Sequence, residues 1–184
     1  MSAPHLILAI DPSLANTGLC LMDLYTGKFK TRVLHFPEKV GDPRQRNVLI
    51  CNYQFWTLKG MLQNSKHNIR SVVIEDYAFA ANTSNLTKLA ELGGVLRIAA
   101  HQHFKPVVEL TPGTWKKIAL GKGNLKKPEI REAAEAIFPQ LSEVSQDEVD
   151  ATMLAYAVYL SCQSRNNPNE VYKEFAAAGL LPVR

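Results

Sequence analysis

Two apolar runs in this chain end on an acid. Residues 5–11 read His-Leu-Ile-Leu-Ala-Ile-Asp and residues 71–75 read Ser-Val-Val-Ile-Glu. Short, continuous apolar runs of this kind fit strands that are buried on both faces. The carboxylate that closes each one is therefore the informative feature. If the two strands lie side by side, Asp11 and Glu75 reach one edge of the same sheet. Carboxylates placed together at partly buried strand ends repel each other, and a bound divalent cation is the usual compensation. That sheet edge is the place to look for function.

The rest of the chain supplies the elements of an α/β domain. Gly18 to Tyr25 and Lys30 to His35 flank a turn at Thr26 and Gly27, so with the first run they read as an antiparallel meander. After a loop marked by Pro37, Gly41 and Pro43, apolar residues from Leu49 to Leu62 recur at helical spacing in a helix ending near Lys66. The polar Asn82 to Asn85 precede a helix from Leu86 to about His103. Its Gly93–Gly94 pair points to a close packing partner. Residues 106–110 form a fifth strand. Thr111 and Pro112 then open a helix with proline at its first position. A basic loop, Gly121 to Lys127, leads to a helix opened by Pro128 that runs to Phe138 and is ended by Pro139. Ser145 and Glu148 have the spacing of a capping box, which sets Ser145 at the start of a last helix running to about Ser164. No repeat or linker divides the 184 residues, so 1–184 reads as one domain with a C-terminal tail from about 166.

The last helix carries two further acids of interest. Asp147 and Asp150 are three residues apart and share a face, which Leu154, Ala157 and Val158 continue toward the core. Glu148 lies off that face and serves the cap, while Asp147 could also be present simply to favour the helix dipole. Four acids offering only oxygen would suit Mg²⁺ or Mn²⁺.

Charge is distributed to match. The net of +4 is a near-cancellation. Residues 105–131 hold seven lysines and arginines against two glutamates, whereas residues 132–150 hold six acids and no base. Such blocks suggest an anionic polymer held in one place and a cation in another, or simply two solvated faces. The three cysteines show no CxxC spacing, which argues against a zinc knuckle or disulfide framework and for a reducing compartment. No apolar stretch approaches the ~20 residues needed to span a bilayer, and a signal-peptide start is absent, so neither a membrane nor a secreted protein is expected.

Taken in order, Asp11-Pro-Ser-Leu-Ala-Asn-Thr-Gly18, Ile74-Glu75 and Asp147-Glu148-Val149-Asp150-Ala151 resemble the three acidic motifs of RuvC-type Holliday junction resolvases. Trp115-Lys116-Lys117 and the segment from Gly121 to Lys127 are similar to that family's basic DNA-contacting region, and the likeness spans about residues 5–162. The resemblance implies an RNase H-like α/β fold, a mixed five-stranded sheet flanked by helices, in a homodimer acting on four-way or other branched DNA. By the same likeness Asp11, Glu75, Asp147 and Asp150 would be the catalytic and metal-binding tetrad for two Mg²⁺ ions per subunit, with Mn²⁺ able to substitute. Lys116 and Lys127 match positions that meet phosphates, and Lys117, Lys122 and Lys126 lie in the same basic segment. Where the family places an aromatic wedge this chain has Ala78, flanked by Tyr77 and Phe79. Either could stack on an opened base step, or both could pack at a dimer interface. Ser13, in place of a usual glycine, suggests a divergent, phage-like branch, and the implied compartment is the cytoplasm of a bacterial or phage-infected cell.

Rival readings share parts of this pattern. An actin-like phosphotransferase has a similar opening motif, but it needs two such domains, more than 184 residues supply. A non-catalytic branched-DNA-binding protein with a degenerate site is the other alternative. The presence of all four acids speaks against decay.

Overall fold

A computed structural model describes residues 5–37, 42, 45–64, 69–76 and 83–163. In chain order the elements are β1 (Leu6–Asp11), β2 (Asn16–Asp23), β3 (Phe29–His35), α1 (Arg46–Gln63), β4 (Ile69–Glu75), α2 (Thr83–Gln102), β5 (Val107–Leu110), α3 (Pro112–Leu120), α4 (Lys127–Ile137) and α5 (Gln146–Gln163). A 3₁₀ turn over Pro139–Glu143 joins α4 to α5. The strands form one five-stranded sheet in the order β3-β2-β1-β4-β5. β1, β2 and β3 are antiparallel, and β4 and β5 are added in parallel. The α/β class, the mixed sheet and the meander are as the sequence implies.

Side chains of β1 alternate between two cores, as the two-residue period of a strand requires. Leu8 and Ile10 join Val72, Ile74, Ile50, Leu58, Leu92 and Leu96 beneath α1 and α2. Ile7 and Ala9 join Val73, Val108, Trp115, Ile130, Val149 and Leu154 beneath α3, α4 and α5. α5 is apolar almost all round and buried along most of its length, as suits a helix against the sheet centre with other helices beside it.

Local signals act where the sequence puts them. Thr111 caps α3, its side chain accepting from the Thr114 N–H, with Pro112 at the first position. Ser145 and Glu148 bond reciprocally at the start of α5: the Ser145 N–H donates to Glu148 Oε2 at 3.1 Å, and the Glu148 N–H to Ser145 Oγ at 3.3 Å. Glu148 also accepts from the Thr31 hydroxyl on β3 at 2.9 Å, so the cap doubles as a helix-to-sheet tie. The three cysteines are buried and none is in a disulfide, and burial pushes the Cys20 thiol up to about 12.

Two expectations change. α2 begins at Thr83 rather than Leu86, so polar residues read as a preceding loop lie in its first turn. Of the Gly93–Gly94 pair, Gly93 is buried, whereas no described residue comes within 4 Å of a Cβ built on Gly94, so the close packing expected of the pair falls to Gly93. The C-terminal tail lies outside the described residues.

At Gly18 the surrounding backbone leaves no room for a side chain. A Cβ there would lie 1.9 Å from the Asp147 carbonyl oxygen. β2 and the start of α5 therefore touch backbone to backbone. Gly18→Ala is expected to cost about 3 kcal/mol, lowering Tm by about 10 °C in a calorimetric melt. A melt within about 2 °C of wild type would show that α5 does not rest on β2 in this way.

Candidate active site

Parallel pairing of β1 with β4 sets Ala9 beside Val73 and Ile10 beside Ile74, so Asp11 and Glu75 follow as neighbours at the same end of the sheet. Strand alternation turns both toward the α3 and α5 side, because Asp11 continues the face of Ile7 and Ala9, and Glu75 that of Val73. The contact at Gly18 brings the start of α5 onto this edge. Asp150, one turn into the helix, is 9% exposed.

The electrostatics record this convergence. Burial holds the Asp11 carboxyl well above the usual carboxylate range, helped by a hydrogen bond with Glu75 and by the charges of Glu75, Asp150 and Asp147. Asp150 is also raised, chiefly by burial and then by Glu75, against the opposing pull of the Gln146 amide, Lys127 and Lys116. Asp11 thus lies within the electrostatic reach of the other three acids expected at the site, and Asp150 within that of Glu75. They are not drawn into a closed shell: among the described residues no three acidic, histidine or cysteine side chains form a preformed ion-binding group. The donor set is nevertheless oxygen-only and partly desolvated, and its members repel, which is the chemistry that a hard divalent cation relieves.

Several supporting residues were not identified from the sequence. Trp115, grouped with the basic segment by sequence, is 1% exposed, and its indole N–H donates to Glu75 Oε1 at 2.8 Å. The Gln146 side-chain amide donates to Asp150 Oδ1 at 2.9 Å. On the opposite face, Gln54 of α1 donates to the Ser13 carbonyl at 3.0 Å and accepts from the Thr17 hydroxyl at 3.0 Å. Arg46 donates to the Leu14 carbonyl at 3.2 Å. Ser13 Oγ accepts from the N–H groups of Ala15 and Asn16, so this serine braces the turn after Asp11. α1 thus clamps the turn that leaves the first acid. Gln146 and Asp150 are four apart on one helix, a spacing the sequence does show, whereas Gln54 and Trp115 act across the fold and give no local pattern.

The basic segment flanks the acidic edge. Lys117, Lys122, Lys126 and Lys127 are exposed. Lys116 is half-buried, its Nζ donating to the Leu125 carbonyl at 3.3 Å and lying 5.6 Å from the centre of the Trp115 ring. Gly121 ends α3 at φ +80, where glycine is favoured. A Cβ on Gly123 would stand 2.7 Å from the Gly113 carbonyl, so the loop folds tightly back on the start of α3. Tyr77 and Phe79, named from sequence as base-stacking candidates, lie outside the described residues.

The family profile of crossover junction endodeoxyribonuclease RuvC matches residues 7–159. The chain is 31% identical over 157 residues to the crossover junction endodeoxyribonuclease RuvC of Chlamydia trachomatis serovar L2, covering 82% of this chain and 88% of that protein. It is 32% identical over 152 residues to the same enzyme of Campylobacter concisus, covering 81% and 92%. Among solved structures, T. thermophilus RuvC in complex with a Holliday junction substrate matches at a TM-score of 0.70 and 15% identity, over 87% of this chain and 96% of that one. That likeness establishes the fold, which is RNase H-like. Acids, basic segment and fold thus agree with a match over most of the sequence: the chain belongs to the RuvC family of crossover junction endodeoxyribonucleases.

Proposed function

We propose that this chain resolves four-way or other branched DNA by paired, Mg²⁺-dependent nicks, acting as a homodimer in the cytoplasm. The observation that carries the reading is Asp11, a buried carboxyl pressed by Glu75, Asp150 and Asp147 beside a loop of exposed lysines. Asp11, Glu75, Asp147 and Asp150 would hold divalent cations, whose chemistry there is to lower the pKa of water and to offset charge on the leaving 3′ oxygen. Asp11, on a central strand with acids on both sides, is the group best placed to serve two cations at once. Trp115 and Gln146 orient Glu75 and Asp150. Lys116 and Lys127, close enough to Asp150 to offset its burial, would draw the scissile backbone to the same edge.

The competing reading, a non-catalytic binder of branched DNA, draws on the lack of a preformed ion-binding group among the described residues. Incubation of the protein with synthetic four-way, three-way and linear DNA plus Mg²⁺ separates the two. Paired symmetric nicks on the four-way substrate support the proposal, and tight binding without cleavage at any metal concentration overturns it.

Removing the central charge should separate stability from activity. A carboxyl whose folded pKa is raised stabilises the fold least once it is ionised, so its contribution is full below the ordinary carboxylate pKa and is lost as pH rises through the raised value. In chelator at neutral pH, Asp11→Asn is expected to melt about 3 °C or more above wild type, and the gap should close as pH falls toward 4. The same variant should bind junctions at least as well as wild type and cleave none. A lower Tm in chelator would contradict the repulsion, and retained cleavage would contradict the assignment.

Lys127 tests the DNA side. Lys127→Ala should weaken junction binding and reduce the slope of log K against log salt by about one. Gel-shift or anisotropy titrations at several salt concentrations measure this, and an unchanged slope would remove Lys127 from the phosphate contacts.

A further inference from the structure

We propose that Trp115 is a positioning residue for the metal site: its indole N–H fixes the Glu75 carboxylate in one orientation beside Asp11 and so sets the affinity of the acidic edge for divalent cations. The inference rests on the metal-dependent reading above and deepens it.

Trp115 sits on α3, whose start is fixed by the Thr111 cap, by Pro112 and by the close approach of Gly113 to Gly123. Its ring fills the core beneath α3 and α5, a role that another large apolar residue could share. What tryptophan adds is a single donor, 2.8 Å from Glu75 Oε1. At 1% exposure the residue gives that N–H no ready route to water, so the hydrogen bond is maintained in the folded chain.

The chemistry of the donor is apt. Lysine or arginine in this place would neutralise Glu75 and compete with an incoming cation. An indole is neutral and donor-only. It restricts the carboxylate without removing the charge that a cation needs. Lys116, whose ammonium lies 5.6 Å from the ring centre, leaves Glu75 to the indole and itself bonds the Leu125 carbonyl. Such outer partners commonly hold metal-ligating carboxylates in place, and their loss weakens metal binding by roughly 10–100-fold.

The sequence contains only two tryptophans, Trp56 and Trp115, so a ¹⁵N-labelled sample gives two indole signals to follow. Trp56 is 58% exposed and serves as the internal control. Titration with Mg²⁺ should move the Trp115 signal and leave that of Trp56 in place, and Glu75→Gln should shift the Trp115 signal without metal. Trp115→Phe keeps a large ring and removes the donor. By electron paramagnetic resonance of free Mn²⁺, this variant should bind the ion about tenfold more weakly, while its junction binding in chelator stays at the wild-type level. Unchanged Mn²⁺ affinity in Trp115→Phe overturns the inference. If that variant does not fold, the wild-type signals decide: a Trp115 indole indifferent to both Mg²⁺ and Glu75→Gln overturns it equally. A wild-type protein that binds Mn²⁺ normally while its Trp115 signal stays fixed sinks this inference alone, whereas one that binds neither ion removes the metal-dependent function and this inference with it.

Discussion

Parallel pairing of β1 with β4 is the constraint from which the site follows. It brings two strand-end carboxylates, Asp11 and Glu75, to the same edge, and strand alternation turns both toward α5, where Asp150 is already buried. A fold seeking only stability would not gather acids in this way, because a desolvated carboxylate beside other carboxylates costs free energy until something neutralises it. The upward shift of the Asp11 carboxyl, from burial and from its acidic neighbours, has the same origin. Much of the surrounding structure holds the acids in place despite their repulsion.

That restraint comes from both faces of the sheet. α1 reaches over with Gln54 and Arg46 to bind the turn after Asp11, and Ser13 and Thr17 close the same turn from within. From the other face α3 supplies Trp115 and α5 supplies Gln146. α5 itself is placed by a glycine, since only the absence of a side chain at Gly18 lets the Asp147 carbonyl approach β2. Glu75 is therefore fixed by α3 and the turn after Asp11 by α1, whereas Asp150 is held by Gln146 of its own helix. This arrangement keeps like charges near one another, with Lys116 and Lys127 as the opposing charges that act on Asp150.

Much of this was legible in the sequence because it is encoded locally. The acid that ends each apolar run, the Ser145 and Glu148 cap and the Thr111–Pro112 start are patterns within a few residues, and each is found where it was read. The convergence of Asp11 and Glu75 followed from placing two strands side by side. What could not be read depends on which surfaces meet. Trp115 directly precedes Lys116 and Lys117 and groups with them by sequence, yet Lys117 is exposed while Trp115 is buried and donates to Glu75. Gln54 is one polar residue on an amphipathic helix until Thr17 and Ser13 are known to lie opposite it. The first turn of α2 went unread because polar residues ahead of an apolar helix pattern look like a loop.

The two charge blocks acquire a common purpose once their positions are known. Lys116 and Lys127 already oppose the effect of burial on Asp150, so the basic segment is part of the electrostatics of the acidic edge rather than a separate surface. On the proposed reading, a DNA backbone drawn to those lysines shields their charge from Asp150. The acids then repel one another more strongly, and a cation that relieves them becomes more welcome. Cations at the edge would in turn leave the lysines free to hold phosphate. Binding of the polymer and of the ions would therefore favour each other, through charge alone and without any movement of the fold. The Gly113–Gly123 contact secures this arrangement by keeping the basic loop folded against the start of α3, the helix whose Trp115 holds Glu75.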